Sequence, residues 1–231
     1  MKMRIVAVLA ASLLLALTLA GPTFAVPVSY VDQGSPAQIA SITVLEYTNS
    51  TYNGGVYTGP YRLQVDGLLS YWMCFDASVM VAQSWNAAEV NTATAAKYIG
   101  ADKANMIAYL ANQWDGSSPS PQNRDINLAM WEIMADYNTN SQNSGLDVSS
   151  GNFKTTNDEY LGKLLNDALA NVNNTYQAWF LLPLSSDGTV DLKNISQPFV
   201  QPVPEPATLL LLGSGLLGLG AWRRRNRGSA A

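Results

Sequence analysis

The chain has no histidine and only one cysteine, Cys74, among its 231 residues. The lack of histidine excludes Ser-His-Asp and Cys-His catalytic arrangements and the common histidine-containing zinc sites. A single cysteine excludes an intramolecular disulfide framework and a cysteine-rich metal site. No acidic run with the spacing of a calcium-binding loop occurs either. We therefore expect no bound metal and no cofactor.

Charged residues are also scarce, and basic ones are scarcest in the middle of the chain. Residues 26–203 hold seven lysines and arginines against sixteen aspartates and glutamates, a net charge of about −9. A surface this acidic repels nucleic acid and anionic lipid. We expect no nucleic acid as a partner.

Residues 1–25 have the layout of a secretory signal peptide. Lys2 and Arg4 form a basic start, an apolar run continues to Ala20, and Thr-Phe-Ala at 23–25 is a small-residue cleavage site. We expect this segment to be removed and the body that follows it to be exported.

The other end of the chain combines three features in a fixed order. The first is a Pro-Glu-Pro motif formed by Pro204, Glu205 and Pro206. An uncharged run rich in leucine and glycine follows at 207–222 and predicts a transmembrane helix. The basic tail, 223–231, begins with Arg223, Arg224 and Arg225. The arginines are expected to stay in the cytoplasm, which places the body on the other side of the membrane.

This tail resembles the PEP-CTERM protein-sorting signal. The resemblance implies processing by an exosortase, with cleavage near Glu205. It also implies a precursor anchored in the inner membrane with its body in the periplasm, and delivery to the cell surface or extracellular matrix. Such tails are also labelled as the C-terminal domain of ice-binding proteins. The body lacks a regular array of Thr-rich repeats that could present a flat face to ice, so we do not predict ice binding.

The remaining residues form a single domain by length. We assign 26–197 to an extracellular body and 198–206 to a Pro-rich linker that contains the Pro-Glu-Pro motif. β-branched and aromatic runs predict strands at 40–47, 56–65 and 68–76, with a turn at Asp66-Gly67.

From residue 77 onward, Ala-rich and periodic segments predict helices. These helices are predicted at 77–85, 91–100, 101–114, 122–137 and 156–172, and a closing strand is predicted at 175–184. The sequence thus predicts an α+β fold with a strand-rich N-terminal half, a helix-rich C-terminal half and one C-terminal transmembrane helix.

Two motifs in the body are of chemical interest. In the first, Cys74 is followed by Phe75 and Asp76; in the second, a predicted helix carries Asn127 and Trp131. Together they resemble the bacterial Cys-Gln thioester domain over roughly residues 55–137, with asparagine at the glutamine position. In that family the sulfur and the side-chain amide condense with loss of ammonia, and the resulting thioester captures an amine on a partner.

The resemblance makes Cys74 and Asn127 the candidate thioester pair, with Phe75, Asp76 and Trp131 as supporting residues. Asparagine is one methylene shorter than glutamine, which withdraws its carbonyl by about 1.5 Å. Three other states of Cys74 stay open: a buried inert thiol, an intermolecular disulfide and a reactive free thiol.

These features predict a non-enzymatic binding or adhesion module of the cell surface or the exopolysaccharide matrix. Its partner would be a surface polysaccharide or a surface protein. One alternative is an extracellular hydrolase that cleaves glycans with a pair of acids. The acids nearest the two motifs are Asp76, Asp125, Glu132 and Asp136. Another alternative is a structural matrix protein without a specific ligand.

Overall fold

The structure is a computed structural model that describes residues 25–203 with a few gaps. The gaps are 35–37, 48–49, 115, 117–119, 139, 141–144 and 156–158. The described strands are β1 (Ala25–Asp32), β2 (Gln38–Tyr47), β3 (Ser50–Thr58), β4 (Pro60–Val65), β5 (Leu68–Cys74), β6 (Ser84–Asn91), β7 (Phe153–Thr155), β8 (Ala178–Leu184) and β9 (Phe199–Pro202). The described helices are α1 (Thr92–Ile99), α2 (Ala101–Ala111), α3 (Pro121–Asp136) and α4 (Glu159–Ala170).

Six of these strands close into an antiparallel barrel in the order β1-β4-β5-β9-β8-β6. The other three form a separate antiparallel sheet in the order β3-β2-β7. β3 and β4 follow one another almost directly along the chain, so residues 58–60 connect the small sheet to the barrel. The Gly59 N–H of this connection is part of the candidate site described below.

The β4–β5 hairpin shows how the sequence builds the barrel. Along β4, Tyr61, Leu63 and Val65 are buried, and the residues between them are more exposed. Such alternation places one face of a strand in the core. Asp66 and Gly67 have φ values of 47° and 80°, as a two-residue hairpin turn requires. Val65 pairs with Leu68 across this turn, which confirms the turn predicted at Asp66-Gly67.

Aromatic residues fill much of the barrel core. Phe199 of β9 stacks against Trp85 of β6 with ring centroids 5.8 Å apart, and it meets Tyr61 edge to face at 5.5 Å. Offset and edge-to-face contacts of this kind stabilise aromatic pairs beyond the burial of their area. The short strand β9 is therefore held by side-chain packing as well as by its pairing with β5 and β8.

Helix α3 is the element that joins the helices to the small sheet. Ser120 accepts a hydrogen bond from the Asn123 N–H at its start, and Pro121 occupies the first turn, both favourable at a helix N-terminus. The helix packs against α2, α4 and the strands of the small sheet. Its middle turns are consequently buried on all sides, and they carry Asn127 and Trp131.

The predicted fold class, α+β with a strand-rich N-terminal half and a helix-rich C-terminal half, is wrong. A closed six-stranded barrel dominates, and its strands come from both ends of the body. Residues 77–83, part of a predicted helix, contain no helix, and the helix prediction also missed β6, which starts at Ser84. Phe199–Pro202, at the start of the segment assigned to the linker, forms β9.

The segment predicted to span the membrane, 207–222, lies outside the described residues, as does the signal peptide up to residue 24. Within the described part of the chain, no helix is both long and apolar enough to cross a bilayer.

Candidate functional site

Cys74 is the last residue of β5 and is completely buried. Its Sγ donates a hydrogen bond to the backbone carbonyl of Asp76 at 3.1 Å. Burial, followed by the negative charge of Asp76, raises the pKa of the Cys74 thiol far above its ordinary value. Since the thiolate is the nucleophilic form of cysteine, this thiol is neutral and unreactive at physiological pH.

Asn127 of α3 lies against Cys74 and uses both ends of its carboxamide. Its Nδ2 donates a hydrogen bond to the backbone carbonyl oxygen of Cys74, and its Oδ1 accepts one from the Gly59 N–H at 2.8 Å. The side chain is fully buried. A single amide therefore ties α3 to the end of β5 and to the β3–β4 connection.

Trp131 lies one helical turn beyond Asn127 and contacts the same carbonyl. Its Nε1 donates a hydrogen bond to the Cys74 oxygen at 3.2 Å. The indole ring meets Phe153 of β7 edge to face at 6.2 Å. The Cys74 carbonyl thus accepts two hydrogen bonds from α3, which occupies both of its lone pairs. We call Cys74, Asn127, Trp131 and the Gly59 N–H the α3 junction.

The other two residues of the first motif shape the chain after Cys74. The Phe75 N–H donates to the Pro198 carbonyl at 3.2 Å, and the Phe75 ring packs edge to face on Phe180 at 5.5 Å. The Asp76 carboxylate accepts a hydrogen bond from the Ser78 N–H at 2.9 Å, a local turn typical of aspartate. Both residues hold backbone in place beside the junction.

A cleft of about 520 Å³ opens next to the α3 junction. Its walls come from β3 and β4, the residue after β1, the segment after Cys74, α3 and the residue before Pro198. The lining residues are Gln33, Gly55, Val56, Tyr57, Tyr61, Ala77, Met80, Val81, Trp131 and Gln197. None of these described lining residues is charged. The volume lies within the range of small-molecule sites in proteins.

Tyr57 and Tyr61 form a rigid aromatic wall of this cleft. Their rings meet edge to face with centroids 4.9 Å apart. The Tyr57 hydroxyl donates a hydrogen bond to the Pro60 carbonyl at 2.8 Å and also contacts the Gln33 carbonyl oxygen. Burial is the main cause that raises the pKa of Tyr57, so its hydroxyl stays protonated. Gly59, between these two tyrosines, is the residue that Asn127 holds.

The acids considered for hydrolysis lie apart from this cleft. Asp125 is paired with Arg124, with Nε and Oδ1 2.6 Å apart, and Asp136 accepts hydrogen bonds from the N–H groups of Asn152 and Phe153. Glu132 is fully buried. None of these three lines the cleft. Asp76 lines a smaller hollow of about 320 Å³ that Trp131 also borders.

Glu132 is in an unusual environment for a carboxyl group. Its Oε1 accepts a hydrogen bond from the Asp147 N–H at 2.7 Å, and its Oε2 is buried without a hydrogen-bond partner in the part of the chain described here. Burial, followed by the charge of Asp136, raises the pKa of Glu132 to about 8. The carboxyl is therefore mostly protonated at neutral pH.

The structure thus brings Cys74, Asn127 and Trp131 together, with contact through the Cys74 carbonyl, whereas the Cys74 thiol is bonded elsewhere. Sequence reasoning missed the cleft residues Tyr57, Tyr61 and Gln197. The two tyrosines flank Gly59-Pro60, and this bend was the only visible signal. Across the described residues, no group of three or more His, Cys, Asp or Glu side chains could hold a metal ion.

The sequence model of the PEP-CTERM protein-sorting motif matches residues 202–225. This match contains the sorting residues identified above, Pro204 to Pro206 and Arg223 to Arg225, all of which lie outside the described residues. The motif indicates an exported protein that an exosortase processes from a membrane-anchored precursor. The chain matches no curated protein and no solved structure.

Proposed function

We propose that this protein is a non-enzymatic binding module of the cell surface or extracellular matrix, which holds its partner in the cleft beside Cys74. The observation that carries this proposal is the cleft itself, whose lining is uncharged and includes two tyrosines and a tryptophan. Concave sites with apolar walls and a few polar groups are the usual form of ligand-binding sites.

The α3 junction gives the cleft a fixed shape. Asn127 fastens Gly59, and Gly59 lies between the two tyrosines of one wall. Trp131 also lines the cleft, and its indole N–H is bonded to the Cys74 carbonyl. Walls that are held before a ligand arrives lose less conformational freedom on binding, which favours affinity. In this proposal Cys74 and Asn127, the pair that resembles a thioester pair, hold the residues around the cleft in place.

Binding in this proposal is non-covalent. A thioester would require the amide nitrogen of Asn127 to leave as ammonia and the Cys74 sulfur to attack the amide carbon. In the structure this nitrogen donates to the Cys74 carbonyl, and the sulfur donates to Asp76. Both groups are in use as hydrogen-bond donors, and the buried thiol is held in its neutral form.

The sorting motif begins where the last strand of the barrel ends, so its removal would leave the barrel intact. β9 ends at Pro202, the residue at which the motif begins. Glu205, near which the resemblance places processing, follows three residues later. Processing at that point would leave every strand of the barrel in the released body.

The test uses cells that produce the full chain, with wild type and a Cys74→Ser variant compared. Serine keeps a donor for the Asp76 carbonyl, so the variant should fold. We expect both proteins in the cell-surface and extracellular fractions. Sodium dodecyl sulfate should release both completely as single chains, because the proposed attachment is non-covalent.

Two results would overturn the proposal. One is a wild-type protein that stays in the periplasm or the inner membrane. The other is a high-mass adduct that resists detergent and that disappears in Cys74→Ser, because this would show covalent capture through the thiol.

A further inference from the structure

One polar side chain that lines the cleft has a buried oxygen without a hydrogen-bond partner among the described residues. Gln197 lines the cleft and is only 6% exposed. Its Oε1 is buried without a hydrogen-bond partner among the described residues. Nearly all buried polar groups in proteins are paired, because an unpaired one is unfavourable. Because Gln197 lines the cleft, its unpaired oxygen is available to a molecule bound there.

The backbone around Gln197 is held on both sides. The Ser196 hydroxyl oxygen accepts a hydrogen bond from the Ala82 N–H at 3.1 Å, and the Pro198 carbonyl accepts one from Phe75 at 3.2 Å. Phe199 then enters the barrel core. Gln197 consequently cannot move far to find a partner within the protein, and its position relative to the cleft is set before a ligand binds.

The lining of the cleft restricts the chemistry of that ligand. The described lining residues carry no charge, and the body around them is strongly acidic, so an anionic ligand would find repulsion and no counter-charge. A purely apolar ligand would leave the carboxamide unpaired. A carboxamide both donates and accepts hydrogen bonds, and a half-turn exchanges its two ends. Hydroxyl groups also donate and accept, so they are suitable partners for it.

We infer that the cleft is a binding site for a neutral glycan, in which a sugar ring packs against Trp131 and the tyrosine wall and a hydroxyl pairs with Gln197. A sugar ring combines apolar C–H faces with hydroxyls at its edge, which matches aromatic side chains beside a buried carboxamide. This inference rests on the proposed binding function and names its ligand class.

Met80 extends the site beyond the cleft. It lines the cleft and is 70% exposed, so its side chain is open to a bound molecule. Flexible methionines are common at binding surfaces that adapt to their partners. In this inference Met80 adds an adaptable apolar contact for the glycan.

The test uses the mature protein released by the producing cells. Their extracellular material is separated into a neutral polysaccharide, an acidic polysaccharide and a protein fraction, and each is titrated by calorimetry. We expect binding to the neutral fraction. Gln197→Leu should weaken it at least tenfold without lowering the melting temperature, because leucine removes an unpaired polar group. Gln201→Leu, a change of the same kind on β9 outside the cleft, should bind like wild type.

Met80→Ala provides a second variant, since an exposed side chain contributes little to folding. It should weaken binding to the neutral fraction about threefold. Binding to the acidic or the protein fraction alone, or equal binding by wild type and both cleft variants, would overturn the glycan assignment. If the glycan assignment fails but wild-type protein is still held at the cell surface, the proposed binding function stands. If no fraction binds and the protein is not held at the cell surface, the proposed binding function fails as well.

Discussion

Replacing Asn127 with aspartate should lower the free energy of unfolding by about 3–5 kcal/mol at neutral pH, the cost of an unpaired buried charge. The two side chains have nearly the same shape, so packing is preserved. One carboxylate oxygen can still accept the hydrogen bond from Gly59. The other replaces the amide donor and faces the Cys74 carbonyl, where two acceptors repel each other. The charge has no solvent contact at this fully buried position.

The pH dependence of the Asn127→Asp variant provides an internal check. Protonation restores a donor toward the Cys74 carbonyl, so the folded state raises the pKa of the new carboxyl above its unfolded value of about 3.9. The folded variant therefore binds more protons than the unfolded one above that pH. Its stability should decrease as the pH rises, and the difference from wild type should be small near pH 4.

Urea unfolding at several pH values measures both effects. Asn86→Asp is the matched control, since Asn86 is exposed on β6, and such a surface change should cost less than about 0.5 kcal/mol. An Asn127→Asp variant as stable as wild type at neutral pH would mean that the amide does not hold the α3 junction.

The second large effect is expected from Glu132. The pKa of this buried carboxyl is raised to about 8 in the folded state, whereas an unfolded glutamate titrates near 4.3. Between these values the folded protein holds a proton that the unfolded chain releases. Stability should therefore decrease as the pH rises, by up to about 1.4 kcal/mol per pH unit from this group, and the loss should be complete above about pH 8.

Glu132→Gln imitates the protonated carboxyl and removes this titration. The free energy of unfolding of the variant, relative to that of wild type, should increase by up to about 4 kcal/mol as the pH rises from about 5 to about 8. Glu89→Gln is the comparison: Glu89 is only partly buried, and although burial also raises its pKa, the smaller desolvation should give a smaller gain. Parallel stability curves for wild type and Glu132→Gln would show that Glu132 is ionised in the folded protein.

Local signals in the sequence were sufficient for the four described helices and for the hairpin at Asp66-Gly67, because these depend on caps, periodicity and turn chemistry, but they also predicted a helix at 77–85 that the structure does not contain. They were insufficient for β6, whose Ala87 and Ala88 favour a helix when considered alone. In the barrel both are buried on a strand paired with β1 and β8, and this pairing overrides intrinsic preference. The prolines that flank β9 similarly suggested a linker, although Phe199 and Val200 are core residues.

The candidate site was accessible from the sequence only in part. Family resemblance directed attention to Cys74, Asn127 and Trp131, which do lie together. The residues of the cleft come from positions far apart in the chain, from Gln33 to Gln197. Only barrel closure by β8 and β9 brings Gln197 next to Trp131. No local pattern around Gln197 distinguishes it from the other glutamines of the chain.

The chemical state of Cys74 in the mature protein tests most directly whether the α3 junction is non-covalent. Intact mass is measured before and after treatment with methylamine, and free thiol is titrated in the folded and the denatured protein. The expected result is a mass that methylamine does not change, no reactive thiol in the folded protein and one thiol per chain after denaturation. A mass that increases with methylamine, together with no titratable thiol in the untreated denatured protein, would show a thioester and contradict the non-covalent account.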